Sequence, residues 1–299
     1  MDVEFGTDGW RTTVEEFTTP RIRAVGQAVA DYARGETDDE RPTVAIGYDP
    51  RADSRATAEE LCRVLCANGV DALIADRDTP TPVVAWTVVD RGLTGALQVT
   101  ASHNPPTYNG IKFVPADGAP AKPAVTDRLA DNLRPPEPRP ESEWGSVSEA
   151  DLREPYLEAA LAFVDADLDG LGVAHDAMHA SGRGVTDELL ARAGADVVRL
   201  RADRDPEFGG TPPEPSAGHL EELVARVADG DAALGVANDG DADRLGVVTP
   251  ERGVVDPNWV LAAVYDYLLA DASEASGGAP GSAAGTGSGD AVRTVSWTS

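Results

Sequence analysis

Segments of strand-like apolar character alternate with segments of helical periodicity along most of this chain of 299 residues. In the first half, helical patterns at 19–34, 56–68 and 82–90 separate strand patterns at 43–47, 70–75 and 93–99. Strands that alternate with helices are typical of α/β folds, where helices cover a sheet of mainly parallel strands. The alternation therefore predicts an α/β architecture.

A proline-rich segment at 135–142 interrupts this alternation and predicts a domain boundary, because such a segment is a stiff surface linker. The alternation then returns, with helical patterns near 149–163, 185–193, 219–228 and 257–269 and strands near Gly172, Val197 and Ala233. We expect two consecutive α/β domains with mixed, mostly parallel sheets, over 1–136 and 146–271. A Gly/Ser/Ala-rich linker over 272–290 and one strand over 291–299 would follow. A lone strand cannot stand as a domain, so we expect a chain that is cut short.

The charge of the chain excludes one class of partner. Asp and Glu total 52 against 25 Lys and Arg, which gives a formal net charge of −27. Such a surface repels the phosphates of DNA and RNA, so we expect no nucleic-acid partner. Two of the basic residues, Lys112 and Lys122, are lysines. Acidic, lysine-poor composition favours a salt-rich cytoplasm, such as that of a haloarchaeon, over an ordinary acidic protein, because salt screens self-repulsion.

The sequence carries no sign of a membrane or of export. Its N-terminus lacks a basic segment followed by an apolar one, and no stretch reaches the apolar length of a membrane span. We expect a cytoplasmic protein without a membrane partner.

The segment Asp239-Gly-Asp-Ala-Asp-Arg244 carries the strongest chemical signal. In an extended loop, residues i, i+2 and i+4 point to one side, so Asp239, Asp241 and Asp243 would converge. Oxygen ligands suit a hard cation, and Mg²⁺ is expected if the ion also holds a phosphate oxygen. An EF-hand calcium loop would need Gly and Glu where Arg244 and Pro250 stand. A solvated acidic turn remains the alternative.

A second loop, Thr100-Ala-Ser-His-Asn-Pro, follows the strand that ends near Val99, and sites collect at such strand ends. Ser102 would lie there on a tight, proline-stiffened turn. A serine hydrolase would place glycines two residues to either side of the serine, but Thr100 and Asn104 stand there. Taken alone, Ser102 is more simply a turn hydroxyl.

Lys112 adds to this signal, because a lysine kept in an arginine-using chain indicates a role that Arg cannot fill, such as proton transfer. Two glycine-containing turns carry arginines, Phe5-Gly-Thr-Asp-Gly-Trp-Arg11 and Gly47-Tyr-Asp-Pro-Arg51. Each of them alone is typical of a surface loop.

Together, these segments and Thr79-Pro-Thr-Pro82 closely resemble the α-D-phosphohexomutases, the family of phosphoglucomutase and phosphomannomutase, over about residues 3–270. The resemblance implies the first two of that family's four domains. It implies that Ser102 is the phosphoserine carrier and that Mg²⁺ is bound by Asp239, Asp241 and Asp243 together with the phosphate on Ser102. The catalytic set that it implies is Ser102, His103, Lys112, Arg11 and Arg244, with the two arginines binding the phosphoryl group.

The activity that the resemblance implies is interconversion of hexose 1-phosphate and 6-phosphate, of glucose or mannose. Phosphoserine and a bisphosphorylated sugar are the intermediates, and a primer of the glucose 1,6-bisphosphate type loads the serine. The family's Gly-Glu-x-Ser-Gly-His sugar loop and its C-terminal phosphate-binding loop are absent from the sequence. A separate chain that supplies those domains, a residual phosphatase, and an inactive Mg²⁺-binding remnant or partner subunit therefore remain alternatives.

Overall fold

The computed structural model describes residues 9–37, 41–164 and 166–275, together with Val3, Phe5 and Gly6. Two α/β units follow each other, each built on one sheet. Five of the nine strand pairings in the described chain are parallel and four are antiparallel. The predicted α/β class with mixed sheets is confirmed.

The first unit has a six-stranded sheet in the order β1-β5-β4-β2-β3-β6. Its strands are β1 (Trp10–Thr13), β2 (Thr43–Tyr48), β3 (Asp71–Ala75), β4 (Gly95–Val99), β5 (Tyr108–Pro115) and β6 (Val147–Ala150). Its helices are α1 (Thr19–Glu36), α2 (Ser54–Ala67), α3 (Thr81–Asp90) and α4 (Pro123–Asp131). The central strands are buried on both faces, as the continuous apolar runs at Val44–Ile46 and Ala96–Leu97 require.

The second unit has a five-stranded sheet in the order β11-β10-β9-β7-β8. Its strands are β7 (Gly172–Asp176), β8 (Asp196–Leu200), β9 (Leu234–Asn238), β10 (Leu245–Thr249) and β11 (Gly253–Val254). Its helices are α5 (Arg153–Val164), α6 (Thr186–Arg192), α7 (Glu221–Ala228) and α8 (Pro257–Ala275). Smaller apolar clusters form its core.

Helix α5 joins the two units. The Tyr156 ring packs edge-on against Trp86 of α3, with ring centroids 5.9 Å apart, and Leu157 lies in the core of the first unit. On another side, Glu154 of α5 pairs with Arg192 of α6. The units are therefore held against each other by packing as well as by the chain connection.

The sequence misplaces the beginning of α5 and of the second unit. We predicted a helix from about residue 149 and a second domain from 146, but β6 pairs in parallel with β3 and belongs to the first sheet. Ser146 donates backbone and hydroxyl hydrogen bonds to Asp71 Oδ1, which brings this segment to the sheet edge. Helix α5 begins at Arg153 because the Asp151 carboxylate accepts the free N–H groups of Arg153 and Glu154.

Helix α8 also differs from the prediction. We predicted that this helix ends near residue 269 and that a linker begins at residue 272, but α8 continues to Ala275. The residues 270–275 are rich in Ala, the best helix former, which accounts for the longer helix. The rest of the predicted linker, 276–290, and the predicted strand 291–299 lie outside the described residues. No helix in the described chain is long and apolar enough to cross a bilayer.

Candidate phosphoryl-transfer and metal site

The three aspartates lie in the connection between β9 and β10, where the chain reverses direction. Asp239 and Asp241 are fully buried, Asp243 is exposed, and one carboxylate oxygen of each lies within 4.8 Å of the others. The loop is a tight turn and not the extended segment that we predicted. The Asp239 carbonyl accepts the Ala242 N–H at 3.1 Å, and Ala242 has a left-handed φ of 56°. The predicted convergence therefore occurs, but through the turn.

The electrostatics of this cluster favour a cation. Burial, together with Asp241 and Asp243, raises the pKa of Asp239 well above its usual range. Burial opposes ionisation of Asp241 too, but the Lys112 ammonium holds the pKa of that carboxyl well below its usual range. Asp241 Oδ1 is buried and has no hydrogen-bond partner among the described residues. An orphaned carboxylate oxygen beside two more carboxylates fits a hard divalent cation such as Mg²⁺.

Ser102 lies in the loop that links β4 to β5, at the carboxyl end of β4. Its side chain is buried, its φ is 52°, and its backbone N–H donates to Thr100 Oγ1 at 2.8 Å. Its Oγ donates to Asp239 Oδ2 at 2.7 Å. The predicted phosphoryl carrier and the predicted metal loop, 137 residues apart in the chain, are thus in direct contact.

The backbones of the two loops also approach closely. A Cβ added to Gly240 would lie 2.2 Å from the Ser102 carbonyl oxygen, so this position requires a residue without a side chain. Beside it, the Gly240 carbonyl accepts the Ser181 hydroxyl at 2.9 Å. The close approach at Gly240 fixes the distance between the Ser102 loop and the acidic loop.

Lys112 lies on β5 opposite Gln98 of β4, and its side chain is almost fully buried. Its Nζ is 2.6 Å from Asp241 Oδ2 and 2.7 Å from Asp243 Oδ2. Although burial disfavours the ammonium form, these two carboxylates raise the pKa of Lys112 above its usual value. The two ion pairs therefore favour the ammonium form of Lys112.

The remaining predicted residues surround Ser102. His103 Nδ1 lies 3.3 Å from Ser102 Oγ. Burial lowers the pKa of His103, and the positive charges of Arg244 and Arg11 lower it further, which places both arginines in its surroundings. Arg11 is on β1 opposite Gly110, and its Nε is buried without a hydrogen-bond partner in the described chain. The Arg244 backbone N–H donates to Asp239 Oδ1 at 3.1 Å.

Thr81 is a residue of the site that the sequence reasoning gave no role there. Its hydroxyl donates to Asp241 Oδ2 at 2.5 Å, and its backbone N–H donates to the Asp241 carbonyl at 2.9 Å. The signal lay in the Thr79-Pro-Thr-Pro82 segment, where a proline on each side holds Thr81 at the first turn of α3. Because it contacts a predicted metal ligand twice, Thr81 orients that carboxylate.

Comparison with known proteins places this chain in a family. Residues 2–138 match the model of phosphoglucomutase/phosphomannomutase alpha/beta/alpha domain I, and residues 154–253 match that of domain II. A protein of Methanopyrus kandleri named "Probable phosphoglucosamine mutase" is 35% identical over 272 residues, which is 90% of this chain and 59% of that protein. The phosphoglucosamine mutase of Corynebacterium aurimucosum is 33% identical, over 86% of this chain and 59% of its own.

Among solved structures, a phosphoglucomutase/phosphomannomutase family protein from Burkholderia thailandensis superimposes with a TM-score of 0.79 at 26% identity. The match covers 90% of this chain and 59% of that one. The chain thus spans about three fifths of the length of these relatives.

Proposed function

This chain belongs to the phosphoglucomutase/phosphomannomutase family, and from that membership and the geometry of the site we propose that Ser102 exchanges a phosphoryl group with hexose phosphates. The observation that carries the proposal is the contact between Ser102 Oγ and Asp239 Oδ2 at 2.7 Å. It puts an acceptor hydroxyl at the edge of a three-carboxylate cluster that suits a divalent cation.

Asp239, Asp241 and Asp243 would hold Mg²⁺, with the phosphate on Ser102 as a further oxygen ligand. The ion would supply charge neutralisation for a transferring phosphoryl group, which depends on positioning and electrostatics more than on covalent help. Arg11 and Arg244 would add positive charge on the side of His103, where both influence the imidazole. Thr81 would keep Asp241 oriented through its two hydrogen bonds.

Loading the serine requires a bisphosphorylated sugar as donor. Ser102 Oγ forms a bond to phosphorus, the bond between phosphorus and the sugar oxygen breaks, and the Lys112 ammonium gives a proton to that leaving oxygen. The Ser102 hydroxyl proton passes to one of the two groups beside it, Asp239 Oδ2 or His103 Nδ1. In turnover, phosphorylated Ser102 passes its group to the free hydroxyl of a hexose monophosphate, with the proton transfers reversed, and forms the bisphosphate. The bisphosphate then gives its other phosphoryl group back to Ser102, which leaves the isomeric monophosphate and completes the interconversion of hexose 1-phosphate and 6-phosphate.

The substrate class that we propose is hexose phosphates. Glucose and mannose phosphates follow from the family, and relatives named phosphoglucosamine mutase add glucosamine phosphate to this set. The test should therefore use several sugars as donors.

The experiment measures transfer to Ser102 directly. The purified chain is dephosphorylated and then incubated with Mg²⁺ and glucose, mannose or glucosamine 1,6-bisphosphate, and its intact mass is followed with peptide mapping. We expect one phosphoryl group per chain, on Ser102, and none in Ser102→Ala. Ser148→Ala, which removes an exposed hydroxyl from β6, is the matched control and should be labelled like the wild type. Label on another residue, or no label from any donor, would refute the proposal.

A further inference from the structure

Arg51 uses every donor of its guanidinium group, although it lies outside the carboxylate cluster. It follows β2 and is 2% exposed. Its Nε donates to Asp49 Oδ2 at 2.9 Å. Its other four N–H groups all donate to backbone carbonyls of the Ser102 loop: Pro105 at 2.7 Å, Tyr108 at 3.0 Å, Ser102 at 2.9 Å and Asn104 at 2.7 Å.

These four bonds set the shape of the loop that carries the phosphoryl acceptor. Ser102 has a φ of 52°, a left-handed conformation that costs a non-glycine residue energy. A conformation of this kind persists when its surroundings hold it in place. The planar guanidinium of Arg51 holds the loop in this conformation, because it donates hydrogen bonds to four of its carbonyls, and one of these is the Ser102 carbonyl.

A buried aspartate orients Arg51 in turn. Asp49 Oδ1 accepts the backbone N–H of Arg51 at 3.0 Å and the Ser54 hydroxyl at 2.7 Å. Asp49 Oδ2 accepts the Thr100 hydroxyl at 2.8 Å, and the oxygen of that hydroxyl accepts the Ser102 N–H. The network therefore holds both backbone polar groups of Ser102: Arg51 binds its carbonyl, and Asp49 acts on its N–H through Thr100. These contacts restrict the conformation of the loop.

The second unit covers this network. The Phe208 ring, 1% exposed, lies over the Arg51 guanidinium with 4.8 Å between Cζ and the ring centroid. Arg204 Nη2, from the same loop after β8, donates to the Pro50 carbonyl at 2.8 Å. A cation that packs on an aromatic face away from water is a favourable contact. The loop after β8 therefore holds residues 50–51 in place through this contact and the hydrogen bond from Arg204.

We propose that Arg51 is a positioning residue for Ser102 in phosphoryl transfer, and that Phe208 holds Arg51 in place from the second unit. The inference rests on the proposed function, because it assigns Ser102 the transfer step. It adds that the geometry of the acceptor hydroxyl depends on the docking of the two units through an arginine that touches neither the carboxylate cluster nor the Ser102 side chain.

Arg51→Lys tests this, because an ammonium on a flexible stem cannot donate to four carbonyls in one plane. We expect the rate of Ser102 phosphorylation at saturating bisphosphate to fall roughly 100-fold, since a small misplacement of a reacting group costs about that much. The donor concentration for half-maximal rate and the plateau of one phosphoryl group per chain should stay unchanged. A variant that is merely partly unfolded would instead reach a lower plateau.

Arg55→Lys is the matched control, because Arg55 also lies against a ring, that of Tyr48, and pairs with Glu59 and Glu149 without touching the Ser102 loop. It should react at the wild-type rate. Phe208→Leu keeps an apolar side chain and should slow the reaction less than Arg51→Lys does. If Arg51→Lys does not fold, the rates of Ser102 phosphorylation in Phe208→Leu and Arg55→Lys are compared instead. A slower reaction in Phe208→Leu than in Arg55→Lys supports the proposal, and equal rates contradict it.

Hydrogen exchange gives a readout that needs no phosphoryl transfer. In Arg51→Lys the amides of residues 101–108 should exchange at least about tenfold faster, while those of β4 keep their protection. If the wild type is never phosphorylated but this exchange pattern appears, the proposed function fails and the positioning of the loop by Arg51 stands. A wild-type rate or unchanged loop exchange in Arg51→Lys would overturn the inference.

Discussion

At the residue scale, Gly240 determines how closely the two loops of the site can meet. A methyl group at this position would lie 2.2 Å from the Ser102 carbonyl oxygen, which is backbone and cannot rotate away. We expect Gly240→Ala to lower the free energy of unfolding by about 1–3 kcal/mol, the usual cost of overpacking. Urea denaturation measures this. Gly218→Ala is the control, because a methyl group there meets nothing within 4 Å in the described chain. Equal effects of the two substitutions would contradict the close approach of the loops.

Lys112 would compete with a metal ion for the same carboxylates. Its ammonium lies within 2.7 Å of oxygens of both Asp241 and Asp243, so its charge repels an incoming cation. We expect Lys112→Met to bind Mg²⁺ about tenfold more tightly, which is roughly 1.4 kcal/mol. Calorimetry on the dephosphorylated protein measures it, and Asp241→Asn should show the opposite change. Unchanged or weaker Mg²⁺ binding in Lys112→Met would show that the lysine does not oppose the ion.

The sequence points to the proposed reacting groups of the site but not to the residues that hold them in place. The three aspartates stand out by residue type and spacing, Lys112 by its rarity, and Ser102 by the family resemblance of its loop, and the structure brings them together. Thr81 contacts Asp241 across 160 positions of the chain. No local pattern encodes such a contact, because it depends on how the two sheets face each other.

At the element scale, the sequence did not predict strands β5 and β6, because their residues do not form an apolar run. Strand β5 carries Asn109 and Lys112 as buried polar residues. Asn109 forms a hydrogen bond and Lys112 an ion pair in the interior. As polar residues they interrupt the apolar pattern by which β2 and β4 are predicted. Strand β6 is mostly exposed at the sheet edge, so hydrophobicity does not reveal it either. Strands that carry the site or close the sheet are therefore harder to predict than those that fill the core.

Asp187 fixes the beginning of α6 and ties it to β8. Its carboxylate accepts the Gly184 N–H at 2.5 Å and Arg199 Nε at 2.6 Å. Burial by itself would raise the pKa of Asp187, but these two hydrogen bonds bring it below the usual value. A carboxyl whose folded pKa is lowered stabilises the fold above its unfolded pKa and loses that effect as pH falls through the folded one.

We therefore expect Asp187→Asn to lower the free energy of unfolding by about 1–2 kcal/mol at pH 7, as for a hydrogen bond to a charged group. The difference from the wild type should begin to shrink below about pH 4, where the Asp187 carboxyl of the unfolded chain takes up its proton, and should vanish as pH falls through the lower pKa of the folded state. Denaturation at several pH values measures it, with the exposed Asp196→Asn as control. A difference that stays constant from pH 7 to pH 3 would exclude the charge of Asp187 as its origin.

At the scale of the whole molecule, the order of helices and strands follows from the sequence, whereas the arrangement of the units does not. The alternation of patterns predicts two α/β units, and both are present. Their docking depends on contacts such as Trp86 with Tyr156 and Arg51 with Phe208, between residues that look ordinary in their own segments. The site is a product of that docking, because Ser102 and Asp239 belong to different units.

The net charge of −27 should make the stability of the whole chain depend on salt. Like charges repel more in the compact state than in the unfolded one, and the Debye length falls from about 10 Å at 0.1 M to about 3 Å at 1 M. We expect a gain of about 2 kcal/mol over this range, or roughly 4–8 °C in melting temperature. Most of the rise should come below about 0.5 M, where the Debye length changes fastest.

The choice of salt separates screening from stronger hydrophobic burial. Kosmotropic salts such as sulfate and phosphate strengthen burial in proportion to their concentration, but thiocyanate does not, although it screens charge equally well. Melting curves in potassium chloride and in potassium thiocyanate, with chelator to remove divalent ions, should therefore rise together below about 0.3 M. They should diverge above about 1 M, where the Debye length is already near 3 Å. A rise in chloride alone would show that repulsion among the carboxylates does not limit stability, and the predicted adaptation to a salt-rich cytoplasm would lose its physical basis.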